Sequence, residues 1–256
     1  MQELFFTHFL NQYFGGIASR ILSALGAHAV AAGEKSRYLF TYNPAAPITN
    51  FFAMELLVVL ILLALFIWAR TRISVDSPGA LQHVFELAEE FVNHQSEEII
   101  PAHGTEQFTP FLVALGLFIL ISNLIGLIPG FVSPTATPAV PLGLAIVTWF
   151  YYHFNGIKKQ GIGTYAKHFM GPVWWLAWLM IPIEVIGHFA RLMSLTIRLY
   201  ANIYAGDLVT MVFFSLIPIG IPVIFLGLHL FVSLLQAYIF VLLATVYLAG
   251  AVAEEH

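Results

Sequence analysis

Cysteine is absent from the 256 residues of this chain, which excludes disulfides, thiol chemistry and Cys-ligated metals. Charge is scarce as well: Asp, Glu, Lys and Arg make up 9% of the residues, against roughly a quarter in an ordinary soluble domain. The formal net charge is −4, and no basic stripe with interleaved aromatics is present, so nucleic acid is not an expected partner. Neither a phosphate-binding loop nor a spaced dinucleotide glycine motif occurs. His, Asp and Glu are not spaced as a zinc site. No cofactor and no metal are therefore expected, and chemical energy has to come from another subunit or from an ion gradient. The N-terminus also reads poorly as a secretory signal. MQELFFTHFL carries Glu3 and no basic region, and the first long apolar run begins only near Asn50.

What fills the chain instead is apolar: 59% of the residues are hydrophobic, so its main solvent is lipid. Residues 1–50 mix short apolar pieces with His8, Arg20, Glu34, Lys35 and Arg37, and read as a pre-membrane segment with a surface-lying helix around Phe14–Ala32. Phe51–Ala69, closed by Arg70 and Arg72, approaches the ~20 residues needed to cross about 30 Å of hydrocarbon. Leu81–Ile100 alternates Val84, Phe85, Ala88 and Phe91 with His83, Glu86, Glu89 and Glu90 at helical spacing, the pattern of an amphipathic helix. Its acidic face argues for packing on protein over attraction to anionic lipid. Pro101 ends it.

Phe108–Ile128 is a second span, with Pro110 near its start. Pro129–Pro141 is turn-like, and a span from about Pro138 ends in the aromatic cluster Trp149–Tyr152, suited to a membrane interface. Asn155–His168 reads as a basic polar loop. Beyond Gly171 two long apolar stretches follow, parted by Pro218, Gly220 and Pro222. Periodicity alone leaves open whether each folds into two short spans or one long tilted helix. Placing Arg70, Arg72, Lys158, Lys159 and Lys167 on the cytoplasmic side gives an outward N-terminus and an inward C-terminus, and favours the tilted pair. The fold class is all-α: a polytopic membrane protein with about five membrane-crossing helices, an amphipathic interfacial helix and two long tilted C-terminal helices. The domain division is 1–50 and 51–256, with 171–251 as the ion-path helices.

Ionisable groups at membrane depth are costly and mark water-filled paths or protein interiors. Glu184, His188, Arg191, Arg198, Asn202 and Asp207 crowd into one apolar stretch. Glu184, Arg191 and Arg198 are seven apart and drift only about 20° per step around a helix. His188 and Asn202 each follow by four residues. Asp207 falls nearly opposite Arg198, so a second helix has to complete any chain of contacts; the last apolar stretch offers His229 and Gln236, again seven apart. Carboxylates and imidazoles exchange protons with water. Arginine does not, but it holds a fixed positive field where a lysine would deprotonate. Against this stand plainer readings: Glu184, His188 and Arg191 as packing pairs, Asn202 and Gln236 as helix bridges, Asp207 as a cap. Gly143, Gly187 and Gly206 read as close-packing positions, and Trp174, Trp175 and Trp178 as an interface anchor. The residues by themselves describe an ion-path membrane subunit, with a proton-coupled secondary transporter and a structural membrane-complex subunit as alternatives.

SLTIRLYANIYAGDL, which holds Arg198, Leu199, Asn202, Ala205, Gly206 and Asp207, is followed by SLLQAYIFVLLATVYLAGAVAEEH. Together they resemble the subunit a family of F-type ATP synthases. The resemblance implies a non-catalytic, proton-conducting stator in the bacterial inner membrane, packed against a ring of hairpin proteolipids (subunit c). It also implies the peripheral-stalk subunit b and the F1 catalytic sector as partners, with protons passing through two offset half-channels. On it, Arg198 faces the ring and prevents a short circuit, and Asn202, Asp207 and His229 belong to the outer half-channel. Gln236 lies near the arginine on the opposing helix, and Glu184 belongs to the inner half-channel. The acidic–histidine arrangement leans toward protons over sodium. Asp207 stands where the family often has the longer glutamate.

Overall fold

A computed structural model describes residues 4–29, 41–72, 79–100, 105–128, 130–165, 174–216 and 220–252. Seven long helices dominate them: α1 (Phe5–Ala24), α2 (Asn50–Arg72), α3 (Ala80–Ile99), α4 (Thr109–Ile125), α5 (Ala139–Gln160), α6 (Ala177–Leu216) and α7 (Ile221–Val252). A minimal parallel pair, β1 (His28–Ala29) with β2 (Thr41–Tyr42), joins α1 to α2. The chain is an all-α polytopic membrane protein. Among the described residues three helices, in α2, α6 and α7, are long and apolar enough to cross a membrane, and α4 is a shorter apolar helix.

Local chemistry sets the ends of these helices. Thr49 caps α2 by accepting the Phe52 N–H on its hydroxyl at 3.3 Å. Pro110 does not interrupt α4; it occupies the first turn, where its missing N–H has no helical acceptor to lose. Two boundaries differ from the reading by hydropathy. The N-terminal helix spans Phe5–Ala24, not Phe14–Ala32, and residues 30–32 lie outside the described set, as does Pro101. The stretch taken as a loop from Asn155 is still α5. Asn155 bonds the Tyr151 carbonyl at 2.8 Å, Lys158 and Lys159 lie in the last turn where cations suit the helix dipole, and Gly161, at φ 81°, ends the helix. Polarity there marks the exit from lipid, not the end of the helix.

The two C-terminal stretches are single helices, of 40 residues in α6 and 32 in α7. At 1.5 Å per residue they measure about 60 and 48 Å, well beyond ~30 Å of hydrocarbon, so they cross at a slant or project from it. One core joins α4, α5, α6 and α7 around the fully buried Leu112, Ile119, Leu199, Phe240 and Leu248. Helices α4 and α7 press close at Gly116, where an added Cβ would meet Val241 Cγ2 at 2.9 Å. The Pro-rich connection between α4 and α5 is not an open turn. Ser133, Thr135 and Ala136 are buried, with Ser133 donating to the Ser122 carbonyl at 2.9 Å and Thr135 to Asn123 Oδ1 at 2.6 Å.

The amphipathic α3 packs one edge on protein, where Val92 and Ser96 are buried, Asn93 accepts from Thr109 at 2.9 Å and Gln95 donates to the Tyr238 hydroxyl at 2.8 Å, but Val84, Leu87 and Phe91 are exposed. The aromatic cluster of α5 divides. Phe150 is exposed, whereas Tyr152 is buried in the core and Tyr151 stacks on Phe111 at 3.8 Å. Only part of that run is available to a membrane interface. Trp175 and Trp178 are exposed, as an anchor requires. Gly206 packs closely on α7, whereas among the described residues nothing lies within 4 Å of a Cβ added at Gly143 or Gly187.

Candidate functional site

The polar residues of α6 fall into two groups with Arg198 between them. Leu195, Leu199 and Ile203 turn into the core, which leaves Arg198 and Asn202 at the edge of the buried face. Towards the N-terminal end of α6, Glu184 Oε1 stands 3.3 Å from His188 Nε2 and 3.9 Å from the Arg191 guanidinium. Arg191 in turn lies over the Tyr247 ring of α7, 5.6 Å from its centroid. The heptad stripe is therefore continuous from Glu184 to Arg191 only. The further step to Arg198 is seven residues, about 10 Å of helix.

Towards the C-terminal end, α7 supplies the partners that α6 geometry demands. Asn202 Nδ2 donates to Gln236 Oε1 at 2.9 Å, and His229 Nδ1 stands 3.6 Å from Asp207 Oδ1. That separation suits an ion pair but exceeds an ordinary N–H···O distance, so the shorter aspartate stops just short of direct hydrogen bonding. Gly206 makes the approach possible, since the His229 ring passes 3.2 Å from where a Cβ would be. A cavity of about 380 Å³ opens beside these groups, with Asn202, Gly206, Thr210, His229 and Gln236 in its wall. His229 Nε2 and Thr210 Oγ1 are buried there without a protein hydrogen-bond partner among the described residues. Buried polar atoms of this kind are commonly satisfied by water.

Arg198 stands apart from both groups. Its guanidinium donates to Ser194 Oγ at 3.2 Å, and among the described residues no carboxylate lies within ion-pair distance of it. A cation at membrane depth normally has a counter-charge.

Three residues near Glu184 escaped the sequence reading. Tyr152 hydrogen-bonds His188 Nδ1 at 2.9 Å, and His153 Nδ1 pairs with the Tyr165 hydroxyl. Burial pushes the Tyr165 phenol up to about 12, with Arg191 acting in the opposite direction, so it remains a hydroxyl at ordinary pH. In sequence, Tyr152 and His153 are hidden inside an aromatic run, where nothing distinguishes an interface ring from a buried one. Among the described residues no cluster of His, Asp and Glu is arranged to hold a metal ion.

Comparison with known proteins agrees with this architecture. The ATP synthase A chain family matches residues 52–249. ATP synthase subunit a of Koribacter versatilis is 54% identical over 254 residues, covering 99% of this chain and 98% of the relative. Subunit a of Solibacter usitatus is 50% identical over 230 residues, 90% of this chain and 98% of the relative. Subunit a of Helicobacter pylori strain Shi470 is 40% identical over 208 residues, 81% and 91%. With a family match across most of its length and such relatives spanning nearly their whole length, the chain belongs to the ATP synthase A chain family, a membrane subunit of the F0 sector.

Proposed function

We propose that this subunit is the proton-conducting stator of a rotary ATP synthase, offering two offset half-channels to a ring of hairpin proteolipids. The observation that carries the reading is the position of Arg198. It is a permanent cation between two separate groups of proton-exchanging side chains, with no carboxylate among the described residues as counter-ion. A carboxylate arriving on a neighbouring subunit would supply that charge. Deprotonated, it would be held in front of Arg198; protonated, it would be free to pass into lipid.

In this reading Asp207, His229, Asn202 and Gln236 serve the outer half-channel, while Glu184 and His188 serve the inner one. Residues 51–256 form the membrane domain, with 171–251 facing the ring and residues 1–50 ahead of it. The subunit sits in a bacterial inner membrane with its N-terminus outside and its C-terminus inside, which places the basic ends of α2 and α5 on the cytoplasmic side. Subunit b and F1 complete the assembly, and no catalysis occurs in this chain. One charge crossing 100 mV supplies about 2.3 kcal/mol, so each ATP needs several protons accumulated by rotation.

The test is ATP-driven proton pumping in inverted vesicles carrying Arg198→Ala, with assembly and ATP hydrolysis measured in parallel. Loss of pumping in an assembled complex is the expected result. Pumping at the parental rate would overturn the charge-barrier role and reopen the secondary-transporter and structural-subunit readings.

A further inference from the structure

Helix α1 lies across the N-terminal end of α2. The Leu4 N–H donates to Asn50 Oδ1 at 3.2 Å, and Asn11 both donates to the Ile48 carbonyl at 3.1 Å and accepts from the Ile48 N–H at 2.9 Å. A Cβ added at Gly15 would stand 3.6 Å from the Pro47 ring. From Leu4 to Gly15, about 16 Å of helix, these partners step back only from residue 50 to residue 47. So α1 crosses the end of α2 and does not run down its side. Apolar contact is with the first two turns of α2: Leu10, Ile48 and Ala53 form a cluster with Phe6, Ala18 and Leu56.

At about 100° per residue, the surface of α1 divides into three sectors. Thr7, Asn11, Gly15 and Ala18 make up the docked one, and His8, Gln12, Arg20 and Ser23 an exposed polar one. The third holds Phe9, Tyr13, Phe14, Ile17 and Ile21, which are 46–64% exposed. Phe6 and Leu10 share that third sector and reach the α2 cluster, so the apolar side of α1 is turned the way α2 runs. Helix α2 is long and apolar enough to cross a membrane, and its Phe52, Leu60 and Leu63 are exposed, as lipid contacts are. The apolar sector of α1 continues that lipid-facing surface around a corner.

We propose that α1 docks on a phospholipid surface, its Phe9–Tyr13–Ile17–Ile21 ridge seated in the leaflet at the N-terminal end of α2, and that the Asn11–Ile48 pair holds it flat there. A helix whose exposed surface is half apolar and half polar belongs in the plane of a membrane interface, whereas a spanning helix is apolar all round. Phe5–Ala24 contains no Asp or Glu, and Arg20 is its one Lys or Arg. The seat therefore depends on buried apolar area and little on the charge of the lipid. Another subunit's helix is the competing occupant, and it would have to lie on the membrane side of α1, where the exposed flank of α2 meets lipid.

The chain has no cysteine, so one introduced thiol reports on one position. Ile17→Cys and Ile21→Cys mark the apolar sector, and Gln12→Cys and Ser23→Cys the polar one. Each is labelled with an environment-sensitive fluorophore in the assembled complex, whose other subunits are made cysteine-free. The complex is reconstituted in phosphatidylcholine vesicles, with and without phosphatidylglycerol. Quenching is read from a nitroxide near the head of the lipid acyl chain and from aqueous iodide. Expected are lipid quenching several-fold greater for the apolar pair than for the polar pair, the reverse order for iodide, and the same pattern in both vesicles. Free access of iodide to the apolar pair overturns the proposal, because the ridge is then in water. Protection of that pair from both quenchers overturns it too, since protein then covers the ridge. Equal lipid quenching at all four positions means an immersed helix, and quenching that requires phosphatidylglycerol means one held by charge; either result sinks the idea. Should an apolar-sector variant fail to assemble, Tyr13→Cys takes its place.

Discussion

Substituting Gly206 by alanine tests the contact on which the Asp207–His229 pair depends. A Cβ at that position would stand 3.2 Å from His229 Nδ1 and 3.3 Å from Cε1. Comfortable separations are roughly 3.5–4.0 Å, so the ring has to retreat by a few tenths of an ångström. The ring is 4% exposed but borders the cavity of about 380 Å³, so part of its retreat is into that space. Overpacking of this kind costs about 1–3 kcal/mol, offset in part by the ~1 kcal/mol advantage of Ala over Gly inside a helix. Because Nδ1 is already 3.6 Å from Asp207, the displacement acts directly on the pair. If about 1.4 kcal/mol of it enters the proton-transfer barrier, the rate falls tenfold.

Gly143→Ala is the control. Among the described residues nothing lies within 4 Å of the Cβ it would add, so the helix preference should dominate and the variant should be neutral or slightly stabilised. The assay is the initial rate of ATP-driven pumping in inverted vesicles, normalised to assembled complex, with thermal dissociation of the complex as the stability readout. Equal pumping and equal stability in the two variants would refute the argument, for it would mean that the α6–α7 contact at His229 does not govern the proposed outer half-channel.

The other helix contacts give equally definite expectations. Gln236→Leu strips Asn202 of its acceptor in a site where Gln236 is 2% exposed. Asn202 is itself exposed, so the loss is that of one net hydrogen bond, about 0.5–1.5 kcal/mol; the complex should dissociate at slightly lower temperature, and adding Asn202→Leu should cost no more than the single change. A double variant worse than the sum of the singles would contradict this. Gly156→Ala would set a Cβ 2.7 Å from Tyr165 Cε2 and 2.8 Å from the Ala251 carbonyl oxygen. A backbone oxygen cannot rotate away, so α5 and α7 have to part at that end, at a cost of about 1–3 kcal/mol or more. Immunoblots of membranes should show less assembled complex, and an unchanged amount would show that the two helices yield without penalty.

Much of the fold was legible because lipid imposes simple rules. Long apolar runs have to be helices, since no water satisfies the backbone, and the run Phe51–Ala69, closed by Arg70, could be read directly. Helical arithmetic also showed that Asp207 lies opposite Arg198 and needs a second helix. The errors arose where composition was ambiguous. Asn155–Gln160 looks like a loop because polar residues leaving the membrane resemble polar residues leaving a helix. The Ser133–Ala136 segment looks like an exposed turn because its hydroxyls find partners only in the folded bundle. Tyr152 looks like an interface aromatic because its hydrogen bond is to His188, 36 residues away.

By itself the sequence determined the solvent, the helical class, the approximate spans and the set of side chains able to carry charge. These follow from transfer free energy and from the 3.6-residue period, which depend on residue type and local spacing. The pairings between helices were decided only by the tertiary structure: Asn202 with Gln236, Asp207 with His229, and Tyr152 of α5 with His188. Each joins a donor and an acceptor whose separation depends on how closely two helices approach, and that approach is set by small residues such as Gly206 and by side-chain packing. No period along a single chain records it. Arg198 shows the division most plainly: its charge was readable from the sequence, but the lack of a carboxylate partner among the described residues of its own chain appeared only in the folded bundle.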